Sequence, residues 1–152
     1  MPIINLTELR TTLRKNQRLI GIDPGSKTIG IALSDVMLTL ATPYGSLKRA
    51  KLATNAAEIT EIARKEDAGG LIIGLPLSMD GTIGPAAQAA QDWAKALSEA
   101  TNLPATLWDE RLSTAAVTRH MIDANLSRRK RATAVDRMAA AWTLQAALDA
   151  AR

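Results

Sequence analysis

The stretch from Arg18 to Thr42 constrains the fold more than any other part of this 152-residue chain. It holds three short apolar runs, Arg18 to Asp23, Ile29 to Leu33 and Leu38 to Thr42, parted only by turns such as Pro24-Gly25-Ser26-Lys27. A crossover between parallel strands needs a dozen or more residues, so strands this close in sequence pair antiparallel, as a meander. The period then changes. Leu52 to Glu66 sets Leu52, Ile59, Ile62 and Ala63 on one helical face, with Gly69-Gly70 read as its end. Gly70 to Leu75 is a continuous apolar run, as in a strand buried on both faces. Pro76 to Gly84 reads as a loop, Pro85 to Ala100 as an Ala-rich helix, and Ala105 to Trp108 as a fifth strand. Ser113 or Thr114 caps a helix to about Asn125, Leu126 to Arg131 is a basic connector, and Thr133 caps a last helix to near Arg152. The order β-β-β-α-β-α-β-α-α gives an α/β fold: a mixed five-stranded sheet, an antiparallel meander followed by βαβαβ, flanked by helices. Residues 1–17 read as an N-terminal helical extension, with Asn5 or Thr7 as cap and Leu6, Leu9 and Leu13 on one face, and residues 18–152 as one domain.

Composition narrows the chemistry. Cysteine is absent, which excludes disulfides, thiolate metal sites and a Cys nucleophile, and a single His excludes a multi-His zinc site. There is no Phe, one Tyr and three Trp, which argues against a broad aromatic platform for stacking bases. With 28 Ala, the core rests on Ile, Leu, Val and Met and on close helix contacts. No GxGxxG follows the first strand and no GxxxxGK[ST] occurs, against NAD and P-loop ATP binding. No apolar run reaches the length of a membrane span and Met1-Pro2-Ile3-Ile4-Asn5 lacks a signal-peptide core, so the expectation is a soluble, cytoplasmic protein. The net charge is +4, and its excess is local: Arg111 to Arg137 hold seven basic residues against two acids, while the rest of the chain is close to balanced. Such a segment attracts polyanions. A solvated surface turn is the plain alternative.

Four acids could carry chemistry. Asp23 ends an apolar strand and precedes Pro24-Gly25, where glycine permits close approach of a ligand; turn capping is its structural alternative. Asp109 and Glu110 end another strand, and because neighbouring side chains alternate, only one easily shares a face with Asp23. A charge at a helix start explains one of the two. Asp136 is placed in the first turn of the last helix, where a macrodipole role competes, ahead of the small face made by Ala139 and Ala140. Carboxylates that converge repel unless a cation lies between them, and hard Mg²⁺ or Mn²⁺ takes such oxygen ligands. A pair of such ions activates a water and stabilises the leaving oxygen in phosphodiester hydrolysis. The basic run Arg128-Arg129-Lys130-Arg131 lies just before Asp136 and suits a phosphate backbone. Lys27 suits a nearby phosphate or an exposed hairpin equally. His120, with Val117, Met121 and Ala124 around it, reads as a boundary or core residue, and Asp35 and Asp80 as turn residues.

Four blocks in order resemble one family. They are Gly21-Ile22-Asp23-Pro24-Gly25-Ser26-Lys27-Thr28-Ile29-Gly30-Ile31-Ala32, then Gly74-Leu75-Pro76-Leu77-Ser78-Met79-Asp80-Gly81, then Asp109-Glu110-Arg111-Leu112-Ser113-Thr114, and Asp136-Arg137-Met138-Ala139-Ala140 with Leu144-Gln145. They are similar to the motifs of the YqgF family, RNase H-like proteins described as Holliday-junction resolvases and as pre-16S rRNA processing nucleases. The likeness runs from Arg18 to about Leu148. It implies an RNase H-like sheet and a nuclease site in which Asp23, Glu110 and Asp136 hold Mg²⁺ or Mn²⁺. Glu110 is chosen over Asp109 on the motif. Nucleic-acid contacts are assigned to Lys27, Arg111, Arg128, Arg129, Lys130 and Arg131.

Three readings compete. The first is a divalent-metal-dependent nuclease on structured nucleic acid, with the 5′ end of pre-16S rRNA as the expected substrate because no dimerisation helix stands out, and a Holliday junction as the alternative; a junction resolvase would act as a homodimer, and an rRNA-end nuclease could be a monomer. The second is a nucleic-acid-binding module with structural acids. The third, an actin-like nucleotide site, needs two related domains, and the chain has room for one.

Overall fold

The structure, a computed structural model, describes residues 3–75, 84–110 and 128–151, with backbone alone for 128–137. Its elements are α1 (Leu6–Thr12), β1 (Arg18–Pro24), β2 (Thr28–Ser34), β3 (Ala41–Lys48), α2 (Leu52–Glu66), β4 (Ala68–Leu75), α3 (Pro85–Thr101), β5 (Ala105–Asp109) and α4 (Arg128–Ala150). The sheet order is β3-β2-β1-β4-β5. β1, β2 and β3 pair antiparallel, while β4 and β5 run parallel to β1. This is the expected mixed five-stranded sheet.

Period-2 alternation splits the core in two. Ile20, Ile22, Ile29, Ile31, Leu71 and Ile73 face α2 and α3, where Ile59, Ala94 and Leu97 meet them. Leu19, Ala32 and Ile72 face α4, whose Ala140, Leu144 and Leu148 cover that side together with Leu9 of α1. Burial of the central strands on both faces explains why they read as continuous apolar runs.

α1 opens at Asn5, which accepts from the Glu8 N–H at 2.8 Å and donates to the Glu8 carboxylate at 2.7 Å. The segment before it lies along the outer edge of β5: Ile3 pairs with Ala105, Ile4 N–H donates to the Ala105 carbonyl at 2.8 Å, and the Thr106 hydroxyl donates to the Ile4 carbonyl at 2.9 Å. An edge that would otherwise offer open backbone groups is thereby covered.

Three boundaries differ from the sequence reading. The third strand begins at Ala41, not Leu38, because the Asp35 carboxylate gathers Thr39 and Leu40 into a turn and Leu38 takes a left-handed φ of 57°. α2 ends on Asp67, left-handed at φ 52°, and β4 starts at Ala68, so Gly69 and Gly70 lie inside the strand. Leu9 packs where a Gly70 Cβ would stand. The basic run Arg128 to Arg131 is not a connector. It forms the first turn of α4, consistent with the high helix propensity of Arg and Lys, and Thr133 lies within the helix. The helix read at 113–125 and the loop at 76–83 lie outside the described residues. Among the described residues no helix is long and apolar enough to cross a membrane.

Candidate active site

The parallel strands β1, β4 and β5 end on one edge of the sheet, and Asp23, Gly74 and Glu110 stand at those ends. In β1 alternation sets Asp23 on the side of Leu19 and Gly21, facing α4. Its partner on β2 is Gly30. On β4 the register pairs Ile22 with Ile73, which puts Gly74 beside Asp23. The carboxylate thus lies between two residues without side chains. It is 3% exposed, so this is a buried acid in a gap in the layer of side chains.

Glu110 occupies the same face. It follows Trp108 and Thr106 in the alternation, and its carboxylate lies over Gly74: a Cβ built there would be 2.8 Å from Oε1 of Glu110. Glu110 is 9% exposed. Asp109, paired with Leu75 and half-buried, alternates to the other face. The geometry therefore brings Glu110, and not Asp109, to the side of Asp23. The strands are ~4.8 Å apart, so only a side chain reaching back across β4 can approach β1.

α4 supplies the wall. It lies against β1 at Gly21, where a Cβ would be 2.8 Å from the Leu144 Cβ and 3.0 Å from the Ala140 carbonyl oxygen. Gln145 Oε1 accepts from the Ala41 N–H at 2.8 Å and its amide donates to the Thr39 carbonyl at 2.9 Å, which holds the later turns of the helix beside the end of β2. The helix therefore runs opposite to β1, and its earlier turns approach the Asp23 end. Asp136 stands one turn before Ala140, on the same helical face. It lies in the third turn of α4, not the first, which removes the macrodipole explanation for an acid there.

Arg128, Arg129, Lys130 and Arg131 form the first turn of the same helix, two turns ahead of it. Lys27 is exposed on the turn after Asp23, and its carbonyl accepts from the Arg49 N–H at 2.9 Å. Arg111, Asp80 and His120 lie outside the described residues. The roles of Gly30 and Gly74 are absent from the motif reading. A lone glycine inside a strand was the available signal, because it marks a close approach. A groove of about 440 Å³ lies at the opposite ends of these strands, among Arg14, Arg64 and Asn102. It contains none of these acids.

The RuvX family model, described as Holliday junction resolvase, matches residues 17–150. The chain belongs to the RuvX family. A relative from Acidiphilium cryptum named "Putative pre-16S rRNA nuclease" is 64% identical over 98% of this chain and 94% of that protein. One of the same name from Gluconacetobacter diazotrophicus is 59% identical over 99% and 98%. In fold, RuvC of T. thermophilus solved with a Holliday junction substrate matches with a TM-score of 0.57 at 15% identity, covering 89% of this chain and 95% of that one. The RuvX match starts at the residue before β1, so α1 and the strand-like segment on β5 precede it.

Proposed function

We propose that this chain is a divalent-metal-dependent nuclease that hydrolyses phosphodiester bonds in structured nucleic acid, with the 5′ end of pre-16S rRNA as its substrate. The observation that carries the reading is the gap at the sheet edge: Asp23 buried between Gly30 and Gly74, with the Glu110 carboxylate over Gly74. An all-oxygen set of carboxylates fits Mg²⁺ or Mn²⁺, and the absence of side chains at both glycines leaves room beside Asp23. The names of the relatives support the substrate.

In this reading Asp23, Glu110 and Asp136 hold the metal. A divalent cation bound there supplies Lewis acidity toward the phosphate and lowers the pKa of a water. The protein's part is placement. Asp23 is fixed by strand pairing on two sides, so its carboxylate does not have to be ordered when substrate arrives. Glu110 closes the site from β5, and α4 brings Asp136 by packing on Gly21. Arg128, Arg129, Lys130 and Arg131 at the start of the same helix bind flanking phosphates, with Lys27 on the β1–β2 turn, and Arg111, next to Glu110 in sequence, takes the same role. Their grip weakens with salt as counterions are released.

The test is direct. Purified wild type and Asp23→Asn are incubated with a precursor rRNA end and with a four-way DNA junction, in Mn²⁺ or EDTA. Cutting of the RNA in Mn²⁺ only, lost in Asp23→Asn, is expected. Symmetric cutting of the junction instead would make the protein a resolvase acting as a homodimer. No cutting, with salt-sensitive binding retained, would replace the nuclease with a binding module.

A further inference from the structure

Across the sheet edge from Asp23 lies a cleft of about 210 Å³ between the Pro24–Ser26 turn and the first turns of α3. Its origin is in the sequence of α3. Ala86, Ala89, Ala90 and Trp93 recur at i, i+3, i+4 and i+7, so one face of the helix carries three methyl groups and then one large ring. The small residues leave a hollow and the indole ends it. The opposite wall is Pro24, the residue next to Asp23.

Arg49 closes the cleft, and it is held in place. Its guanidinium donates to the Gly25 carbonyl at 2.8 Å and lies 5.1 Å from the centre of the Trp93 ring. Its backbone N–H donates to the Lys27 carbonyl at 2.9 Å. The residues on either side are fixed by the fully buried Asn55, which accepts from the Ala50 N–H and donates to the Lys48 carbonyl. A cation stacked on indole is worth about 0.5–1 kcal/mol at exposed sites, and more when desolvated. Ordering Arg49 before a ligand arrives removes an entropy cost from binding.

We propose that this cleft is a subsite for one unpaired nucleobase of the substrate strand, stacked against the Arg49–Trp93 pair. The assignment rests on the nuclease reading and deepens it. A guanidinium plane and an indole are surfaces on which splayed-out bases stack. The volume lies below the ~300–1,000 Å³ of sites for drug-sized ligands, which suits a single heterocycle. Pro24 adjoins the metal-holding residue on the opposite face of the strand. A chain that presents its phosphate to Asp23 therefore passes over the sheet edge and drops a neighbouring base into the cleft. A base inside a continuous duplex cannot do so, and the substrate class this selects is a single-stranded or unstacked nucleotide beside the cleaved bond.

The probe is a fluorescein-labelled single-stranded RNA spanning the precursor 5′ end, with one abasic residue moved along it. Affinity is measured by anisotropy with Ca²⁺ in place of Mg²⁺, and cleavage with Mn²⁺. In the wild type, an abasic residue at one position within about two nucleotides of the cut should weaken binding about 5- to 150-fold, the range for stacking of one base. In Trp93→Leu the intact RNA should already be weaker by that factor and the scan should be flat, whereas Trp93→Phe should keep the position dependence. Arg49→Gln serves as the second variant if Trp93→Leu fails to fold, with the same flattening expected. A flat scan in a wild type that binds and cuts intact RNA overturns the subsite and leaves the nuclease standing. A wild type that neither binds nor cuts intact RNA overturns both.

Discussion

Replacing Gly74 by alanine should separate activity from stability. The new Cβ would be 2.8 Å from Glu110 Oε1, 3.3 Å from its Cγ and 3.4 Å from its Cδ. Ordinary contact begins at 3.4 Å, so the oxygen must retreat by about 0.6 Å. The atom that moves is the end of a flexible side chain, and the strand backbone can stay. Gly→Ala also lowers the entropy of the unfolded chain, worth ~0.4–1 kcal/mol of stability where the native φ/ψ allows it. The two effects oppose, and the melting temperature should move by no more than about 3 °C. Activity has no such compensation. In the proposed role of Glu110, where groups must be held within ~0.5 Å and displacement by ~1 Å can cost 10²-fold, kcat on precursor RNA should fall about 10- to 100-fold. The check is a cycle of Gly74→Ala, Glu110→Ala and the double variant, assayed for kcat and melting temperature. Once Glu110 is removed, Gly74→Ala should cost nothing further. Full activity in Gly74→Ala, or losses that simply multiply in the double variant, would refute the claim that Gly74 acts by giving Glu110 its place.

Gly21→Ala should do the opposite and act on stability. Its Cβ would stand 2.8 Å from the Leu144 Cβ and 3.0 Å from the Ala140 carbonyl oxygen, atoms that cannot turn aside, so α4 must lift. Overpacking of this kind costs about 1–3 kcal/mol and should lower the thermal midpoint by roughly 2–12 °C in a calorimetric scan. The β2–β3 turn should titrate. Burial pushes the Asp35 carboxyl up, but the hydrogen bonds it accepts from the Thr39 N–H and hydroxyl and from the Leu40 N–H prevail and hold it below its ordinary 3.8. A depressed folded pKa contributes stability that is present above 3.8 and lost as pH falls through the folded value. Urea midpoints of wild type and Asp35→Ala should therefore differ at pH 7, and the difference should shrink below about pH 4.

The fold was legible because its signals are short-range. Three apolar runs separated by tight turns force a meander, and Leu52–Glu66 with its helical period matches α2 at both ends. The starts of β3 and β4 differ from the reading for one reason: chain direction changes where a polar side chain or a left-handed residue intervenes, at Asp35 and at Asp67, and apolar content does not record that. The start of α4 differs because a run of charge reads as a loop, although Arg and Lys favour helix. At the site, Asp23 and Glu110 could be proposed as candidates from their places at strand ends. That they share a face depends on a register between β1, β4 and β5, which no local pattern specifies. Arg49 and Trp93 are 44 positions apart in sequence and meet only because α3 packs beside the β1–β2 turn.

The same register explains why the two acids are of different length. β1 and β5 are second neighbours with β4 between them, so their ends are separated by roughly twice the ~4.8 Å strand spacing. Asp23, already at the centre of the sheet, needs only a short side chain. An acid at the end of β5 must cross β4 to come near it, which requires the extra methylene of glutamate and an open path. Gly74 provides that path: any side chain there would occupy the volume that the Glu110 carboxylate fills. Aspartate on β1, glycine on β4 and glutamate just past the end of β5 are therefore one solution in three parts. Asp109 fits it in neither respect, since alternation turns it to the far face and its side chain is the shorter one.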